Sequence, residues 1–272
     1  MLLRLPPSPR LAPYVDVLWY SERGALPHLR ERSLPSGCAD IVVPLLQDHL
    51  IRYDSEDDTQ ARRLRGAIVQ GAADRFSVRG TQGPSAVVGV HFKPGGAAAF
   101  LGGALPELRN RTELLEDLWG AAACELRERL QEAASPQLAL RLLDSLLTQR
   151  LAGSAPQDPL VAAALAAFQR DPASARVAPV LGASGCSTAR FIHRFEQTVG
   201  LTPKRYARVL RFGVMLPSLM RAGPRDWAEV AASAGYFDQS HLIREFRHFA
   251  GMAPGAYVPV SADQPAHVAL AR

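Results

Sequence analysis

Cysteine is scarce in this 272-residue chain: Cys38, Cys124 and Cys186 stand far apart and odd in number. They build neither a disulfide framework nor a four-cysteine zinc site, and packed free thiols are their ordinary use. Long apolar runs are missing as well. The longest nearly pure one, residues 160–168, has nine residues, against the roughly 18 or more that a membrane helix needs. Prolines 6 and 7 interrupt the N-terminus before a secretory apolar region forms, which leads us to expect a cytoplasmic protein with no membrane partner. Lysine is nearly absent: of 31 basic residues only Lys93 and Lys204 are lysines. Arginine therefore carries the positive charge, in the form suited to bidentate contacts with phosphate or guanine.

What is present is ordinary globular composition, 47% apolar and 21% charged, in a chain long enough for two domains. The charge is unevenly placed. Residues 1–153 hold 18 basic and 18 acidic residues, and residues 154–272 hold 13 and 8, so the whole net charge of +5 lies in the second half. Such asymmetry suggests a polyanion-binding domain joined to a neutral one. The small, Pro-containing stretch 151–159 is the natural joint, with the boundary near 153–157.

Before the joint, apolar runs at 14–20, 39–46, 66–71 and 86–92 are separated by Gly, Pro and Asp clusters and read as strands of a small antiparallel barrel or sandwich. Residues 113–119, 121–134 and 136–151 then read as helices. The last carries apolar residues at 139, 142, 143, 146, 147 and 151, a stripe for packing on its own domain rather than a dimer seam, since it spans under two heptads.

The basic half contains a repeat. Phe195, Gly200, Pro203 and Tyr206 recur as Phe246, Gly251, Pro254 and Tyr257 at a constant offset of 51, each copy preceded by a glycine, Gly185 or Gly235. Each copy reads as helix, glycine turn, capped second helix and glycine stop, which is a helix-turn-helix. The units fall at about 177–199 and 227–250, joined by a helix at about 203–222. Phe191, Phe195, Leu242 and Phe246 share a buried face by their i, i+4 spacing, and so the opposite face is left polar and basic.

These residues resemble the AraC/XylS family of bacterial transcription regulators. The resemblance rests on Gly235-Tyr-Phe-Asp-Gln-Ser-His-Leu-Ile-Arg-Glu-Phe246, on Gly251-Met-Ala-Pro254, and on Phe191 to Phe195 with Gly200-Leu-Thr-Pro-Lys-Arg-Tyr206, and covers about residues 158–258. More loosely, Leu34-Pro-Ser-Gly-Cys-Ala-Asp-Ile41 and Gly89-Val-His-Phe-Lys-Pro-Gly95 look like the barrel-type regulatory domain of one subset of that family. The resemblance implies double-stranded DNA as partner, read in two successive major grooves by Ala189, Ile192 and His193 of the first unit and Gln239, Ser240 and Arg244 of the second. Ser187, Thr188, Arg190, Arg194, Lys204 and Arg247 would position the DNA backbone. RNA polymerase, a second copy of the chain and a small-molecule effector are the further partners it suggests. Leu181 stands where the family has a small residue, Pro179 lies in the first scanning helix and Pro217 in the linker helix, so the first unit is expected to be the weaker reader.

The expected fold class is thus α+β: residues 1–153 a β-rich regulatory, effector or dimerisation domain with trailing helices, and residues 157–260 an all-α DNA-binding domain. The expected function is sequence-specific transcription regulation. Candidate effector-pocket residues are Trp19, Tyr20, His28, Cys38, Asp40, His91 and Phe92, all on or beside predicted strands and all equally explained as barrel core. Trp119 and Trp227, on apolar helix faces, read as core. The rival is a cupin-like metal-dependent enzyme, whose site would be drawn from His28, Cys38, Asp40 and His49. With no His-x-His pair in that half, the reading is no enzyme, no metal and no cofactor. A methyl-transferring repair protein, which resembles this layout but uses a four-cysteine zinc site, fails because the half holds two cysteines.

Overall fold

A computed structural model describes residues 1–151, 158–174, 178–182, 185–220 and 226–270. The chain is α+β, with a β-rich N-terminal half and a helical C-terminal half. Among the described residues no helix is long and apolar enough to cross a membrane. The boundary at 153–157, the start of the first unit at 177 and the end of the linker at 222 lie outside the described residues.

The first half lays down β1 (Leu2–Leu5), β2 (Val15–Arg23), β3 (Arg30–Ser33), β4 (Asp40–Pro44), β5 (His49–Tyr53), β6 (Arg62–Arg65), β7 (Ile68–Gln70), β8 (Ser77–Gly80), β9 (Ser85–Phe92) and, after the short helix α1 (Ala98–Leu101), β10 (Thr112–Leu114). The four apolar runs are β2, β4, β7 and β9, and they sit together in one antiparallel sheet of order β1-β2-β9-β4-β7-β10. The second sheet is β3-β8-β5-β6, with an edge strand β11 (His267–Ala269) contributed from beyond the helical half. Residues 113–119, expected as helix, split into the end of β10 and α2 (Glu116–Trp119).

Side-chain alternation decides what each face of the first sheet does. Val15, Leu18, Tyr20, Ile41, Val43, Val88, Val90 and Phe92 point to one face and are buried against α3 (Ala121–Gln131) and α4 (Pro136–Leu151) through Leu126, Leu130, Leu143 and Leu147. The α4 stripe packs on its own domain, as its length suggested. Trp119 is half-buried there, donating from Nε1 to the Phe100 carbonyl and stacked by Arg150. The other face, carrying Val17, Trp19, Asp40, Val42, Val87 and His91, looks into a cavity shared with the second sheet.

The helical half comprises α5 (Pro159–Arg170), α6 (Ala178–Gly182), α7 (Thr188–Val199), α8 (Pro203–Leu219), α9 (Trp227–Ser233) and α10 (Gln239–Ala250). Its core is an aromatic cluster of Phe168, Phe191, Phe195, Tyr206, Phe212, Phe246 and Phe249, with neighbouring rings 5.0–6.2 Å apart. The α8 helix ends at Leu219, past Pro217. Pro179 is in the first turn of α6, where proline is tolerated.

The two halves are docked. Leu34 and Ala72 of the first half belong to the aromatic core of the second. Arg205 Nη1 reaches Asp74 Oδ2 at 2.6 Å, and Arg109 Nη1 reaches Glu196 at 3.3 Å. Asn110 Nδ2 holds the other Asp74 oxygen at 2.7 Å. Burial alone would raise the Asp74 pKa, but Asn110 and Arg205 hold it below the usual carboxylate range.

Two turn glycines test this packing. Gly235 has φ +77°, and a Cβ there would come within 2.4 Å of the Ala173 carbonyl oxygen. Gly185 has φ +62°, but a Cβ there meets no described atom within 4 Å. Gly235→Ala is therefore expected to cost about 2–4 kcal/mol, the left-handed backbone plus the clash, and Gly185→Ala about 1–2 kcal/mol. Urea unfolding of the two variants measures the difference, and equal losses would contradict the packing at Ala173.

Candidate nucleic-acid interface and a cavity between the sheets

The α7 and α10 helices are built by the same local rules. Ser187 and Asp238 cap them, accepting from the backbone N–H of Arg190 and His241. Gly200 at φ 82° and Gly251 at φ 69° stop them in the left-handed conformation. Phe191, Phe195, Leu242 and Phe246 are fully buried, which turns the opposite faces outward. Ala189, Ile192 and His193 on α7 are exposed, and so are Gln239, Ser240 and Arg244 on α10.

The flanking basic groups divide by partner. Thr188, Arg190, Lys204 and Arg247 are exposed, and Ser187, also exposed, has its hydroxyl used as the cap. Arg194, read from the sequence as a backbone-positioning group, is instead engaged within the fold: Nε and Nη2 donate to the two Asp158 oxygens at 2.6 and 2.8 Å. This bidentate pair ties α7 to the cap of α5. Arg208 does the same to Glu245 at 2.8 and 2.8 Å, tying α8 to α10. Leu181 is half-buried on the aromatic core, as is Trp227. Phe237, in the turn before α10, is 92% exposed; its position beside Asp238 puts an apolar ring at the start of α10, which periodicity had not singled out.

The cavity between the sheets has a volume of about 720 Å³. Of the candidate pocket residues, Trp19, Cys38, Asp40 and His91 line it. Tyr20 and Phe92 do not; each is one residue out of phase and points into the core behind the sheet. His28 is also off the cavity wall, its Nε2 2.7 Å from Glu31 Oε1. The residues considered for a metal are not brought together: Asp40 pairs with His91 Nδ1 at 2.7 Å, His49 with Asp48, and His28 with Glu31. Asp40 raises the His91 pKa well above its ordinary value against the opposing effect of burial.

Sequence reading missed the polar centre of the second sheet. Glu31 is completely buried. It accepts from Arg79 Nε at 2.8 Å and lies 3.6 Å from Arg23. Burial by itself would raise its pKa; Arg79 and the His28 hydrogen bond outweigh that and bring it down to about 2. No motif marks this site, because β3 and β8 lie far apart in sequence and meet only through sheet register, Glu31 opposite Arg79.

Comparison with known proteins gives a family match in each half. Residues 181–258 match the family described as a helix-turn-helix domain. Over 108 residues the chain is 40% identical to a putative AraC-like transcription regulator of Streptomyces antibioticus and 39% identical to one of Streptomyces lividans. The matched segment is 39% of this chain, and the chain spans about a third of the length of those relatives, 35% and 34%. Residues 3–113 match a domain of unknown function, DUF6597. Among solved structures, apo ToxT K231A from Vibrio cholerae aligns over 88% of this chain and 96% of its own, at 10% identity and a TM-score of 0.45.

The Glu31 centre yields a pH signature. A carboxyl held below its ordinary 4.5 stabilises the fold fully above pH 4.5 and loses that contribution as pH falls toward about 2. Its full value is about 3 kcal/mol, at about 1.4 kcal/mol for each tenfold change in acidity. Glu31→Gln is expected to lower stability by about that much at pH 7, and the gap to the parent is expected to shrink between pH 5 and pH 3 in chemical denaturation. A gap independent of pH would show that Glu31 acts by shape alone.

Proposed function

We propose that the protein is a sequence-specific DNA-binding transcription regulator of the AraC type, with recognition helices α7 and α10 entering successive major grooves and with its sensing site in the N-terminal cavity. One observation carries this reading. Two helices related by an internal repeat are each capped, stopped and buried on one face, and each presents short polar and basic groups on the other. Nothing in that arrangement needs a reacting group, so the reading is a regulator rather than an enzyme, working where the DNA is, in the cytoplasm. RNA polymerase and a second copy of the chain are partners that such a regulator would use.

Within the reading, Gln239 and Arg244 are the leading base readers, because their side chains offer paired hydrogen bonds to adenine and guanine edges. Ala189 and Ile192 offer only contact with thymine methyl groups. Thr188, Arg190, Lys204 and Arg247 supply phosphate contacts. The cupin-like alternative is not favoured, since its candidate ligands go to separate partners.

The test is a fluorescence-anisotropy titration of the full chain with duplex from its own upstream region and with scrambled duplex, at two salt concentrations. A preference for the native duplex and affinity falling steeply with salt are expected. Arg244→Ala should weaken specific binding by about 5- to 150-fold, whereas Lys204→Ala should weaken binding to all duplexes alike and reduce the salt slope by about one. Gln239→Ala should relax sequence preference more than His193→Ala. No preference and a flat salt response would remove the regulator reading; equal effects of the last two variants would remove only the ranking of the units.

A further inference from the structure

One large apolar side chain is held away from both cores. Of the ten phenylalanines, eight are buried and Phe76 is half-buried, whereas Phe237 is 92% exposed, more than any other large apolar residue described. The rules of helix starts predict the opposite. Phe237 stands immediately before the capping residue Asp238, and an apolar residue there ordinarily folds onto the residue four places past the cap, here the fully buried Leu242. The first unit follows that rule. Cys186, the match of Phe237 at the offset of 51, precedes the cap Ser187 and packs on the aromatic core that includes Phe191. The repeat therefore does not require an outward ring, and only the second unit has one.

The exposure is not the looseness of a turn. Tyr236 is buried, its N–H donating to the Ala231 carbonyl at 2.8 Å and its ring lying edge-on to the His241 ring at 5.3 Å. The Phe237 N–H donates to His241 Nδ1 at 3.3 Å, and the His241 N–H donates to Asp238 Oδ1 at 2.6 Å. Pinned on both sides, the backbone buries the Tyr236 ring and leaves the Phe237 ring outside. Residues 237–240 are exposed in succession, so the ring adjoins Gln239 and Ser240 at the start of α10.

Chemistry restricts what such a ring can recognise on DNA. It has no donor for phosphate and no hydrogen bond to offer guanine, adenine or cytosine. The apolar group that a major groove displays is the C5-methyl of thymine. Insertion of an apolar side chain between base steps is a minor-groove device.

We propose that Phe237 is a specificity-determining residue of the second unit, its ring packing on the C5-methyl groups of one or two adjacent thymines beside the bases read by Gln239. This deepens the reading of α10 as a base-reading helix and rests on it. The contact is separate from those of Ala189 and Ile192, which belong to the groove of the first unit.

The experiment titrates the full chain, by fluorescence anisotropy, with duplex from its own upstream region and with a set of duplexes in which each thymine in turn is replaced by deoxyuridine. Deoxyuridine pairs identically and lacks only the methyl group. The parent is expected to lose about 3- to 10-fold at one or two adjacent thymines, as removal of a buried methyl implies. Phe237→Ala is expected to lose a comparable factor on the unsubstituted duplex and nothing further with deoxyuridine at those positions, while the remaining thymines keep whatever effect they have in the parent. Its salt slope should equal the parent's, because the ring neutralises no phosphate, and its melting temperature should be unchanged, because the ring is exposed. Unchanged binding of the upstream duplex by Phe237→Ala, equal deoxyuridine sensitivity in parent and variant, a reduced salt slope or a lowered melting temperature would each overturn the proposal; the first would leave the ring to a protein partner. A parent with no preference for its upstream duplex removes the regulator reading and this inference with it. A parent that keeps the preference, matched by Phe237→Ala, removes this inference alone.

Discussion

Two glycines, Gly200 and Gly251, set the constraint on which the arrangement of the molecule depends. Gly200 ends α7 and Gly251 ends α10 with a left-handed residue, and each is pressed against the N-terminal half. A Cβ on Gly200 would lie 3.0 Å from the Leu105 carbonyl oxygen, and one on Gly251 would lie 2.6 Å from the Phe76 ring. Any other residue would bring backbone strain and a clash together. The C-terminal ends of α7 and α10 thus rest on the first half, while Thr188, Ala189, Gln239 and Ser240 in their first turns are exposed.

Charge is distributed under the same constraint. Much of the basic excess of the helical half is spent inside the fold: Arg194 on Asp158, Arg205 on Asp74, Arg208 on Glu245. Each of these pairs joins separate elements, and Arg205 joins the two halves. Arg190, Lys204, Arg244 and Arg247 remain exposed. A net charge of +5 is therefore a poor measure of a binding surface, whereas the location of the unpaired members is a good one. The guanidinium fork suits both uses, which accounts for the near absence of lysine better than either use alone.

The repeat made the helical half legible from sequence. Phe, Gly and Tyr at fixed spacing are demanded by a buried ring, a left-handed stop and a packed junction, so residue identity alone located α7, α8 and α10. In the first half, the four strands β2, β4, β7 and β9 were visible because they are apolar. The charged strands β3, Arg30-Glu31-Arg32-Ser33, and β6, Arg62-Arg63-Leu64-Arg65, carry almost no hydrophobic signal, since their stability comes from pairing partners distant in sequence. Cavity assignment failed at Tyr20 and Phe92 for a related reason. In strands whose two faces are both covered, an apolar run does not reveal parity, and a shift of one residue exchanges cavity for core. Arg79 and Glu31 escaped notice because charged residues on short strands look like solvated ones until the register places them together.

The tail after α10 gives the two halves a physical connection besides their interface. The Tyr257 ring packs on Phe246 of α10 at 5.9 Å, and its hydroxyl donates to the Pro265 carbonyl at 2.6 Å. Pro265 lines the cavity, and two residues later His267 enters the second sheet opposite Ser33. The same few residues therefore touch the buried face of α10, the wall of the cavity and the edge of a sheet. For occupancy of the cavity to alter α10, the ligand must favour one position of the tail over another, since coupling equals the difference in its affinity for the two arrangements. The β11 edge is held by three residue pairs, and Tyr257 links the tail to α10 through one ring contact and one hydrogen bond.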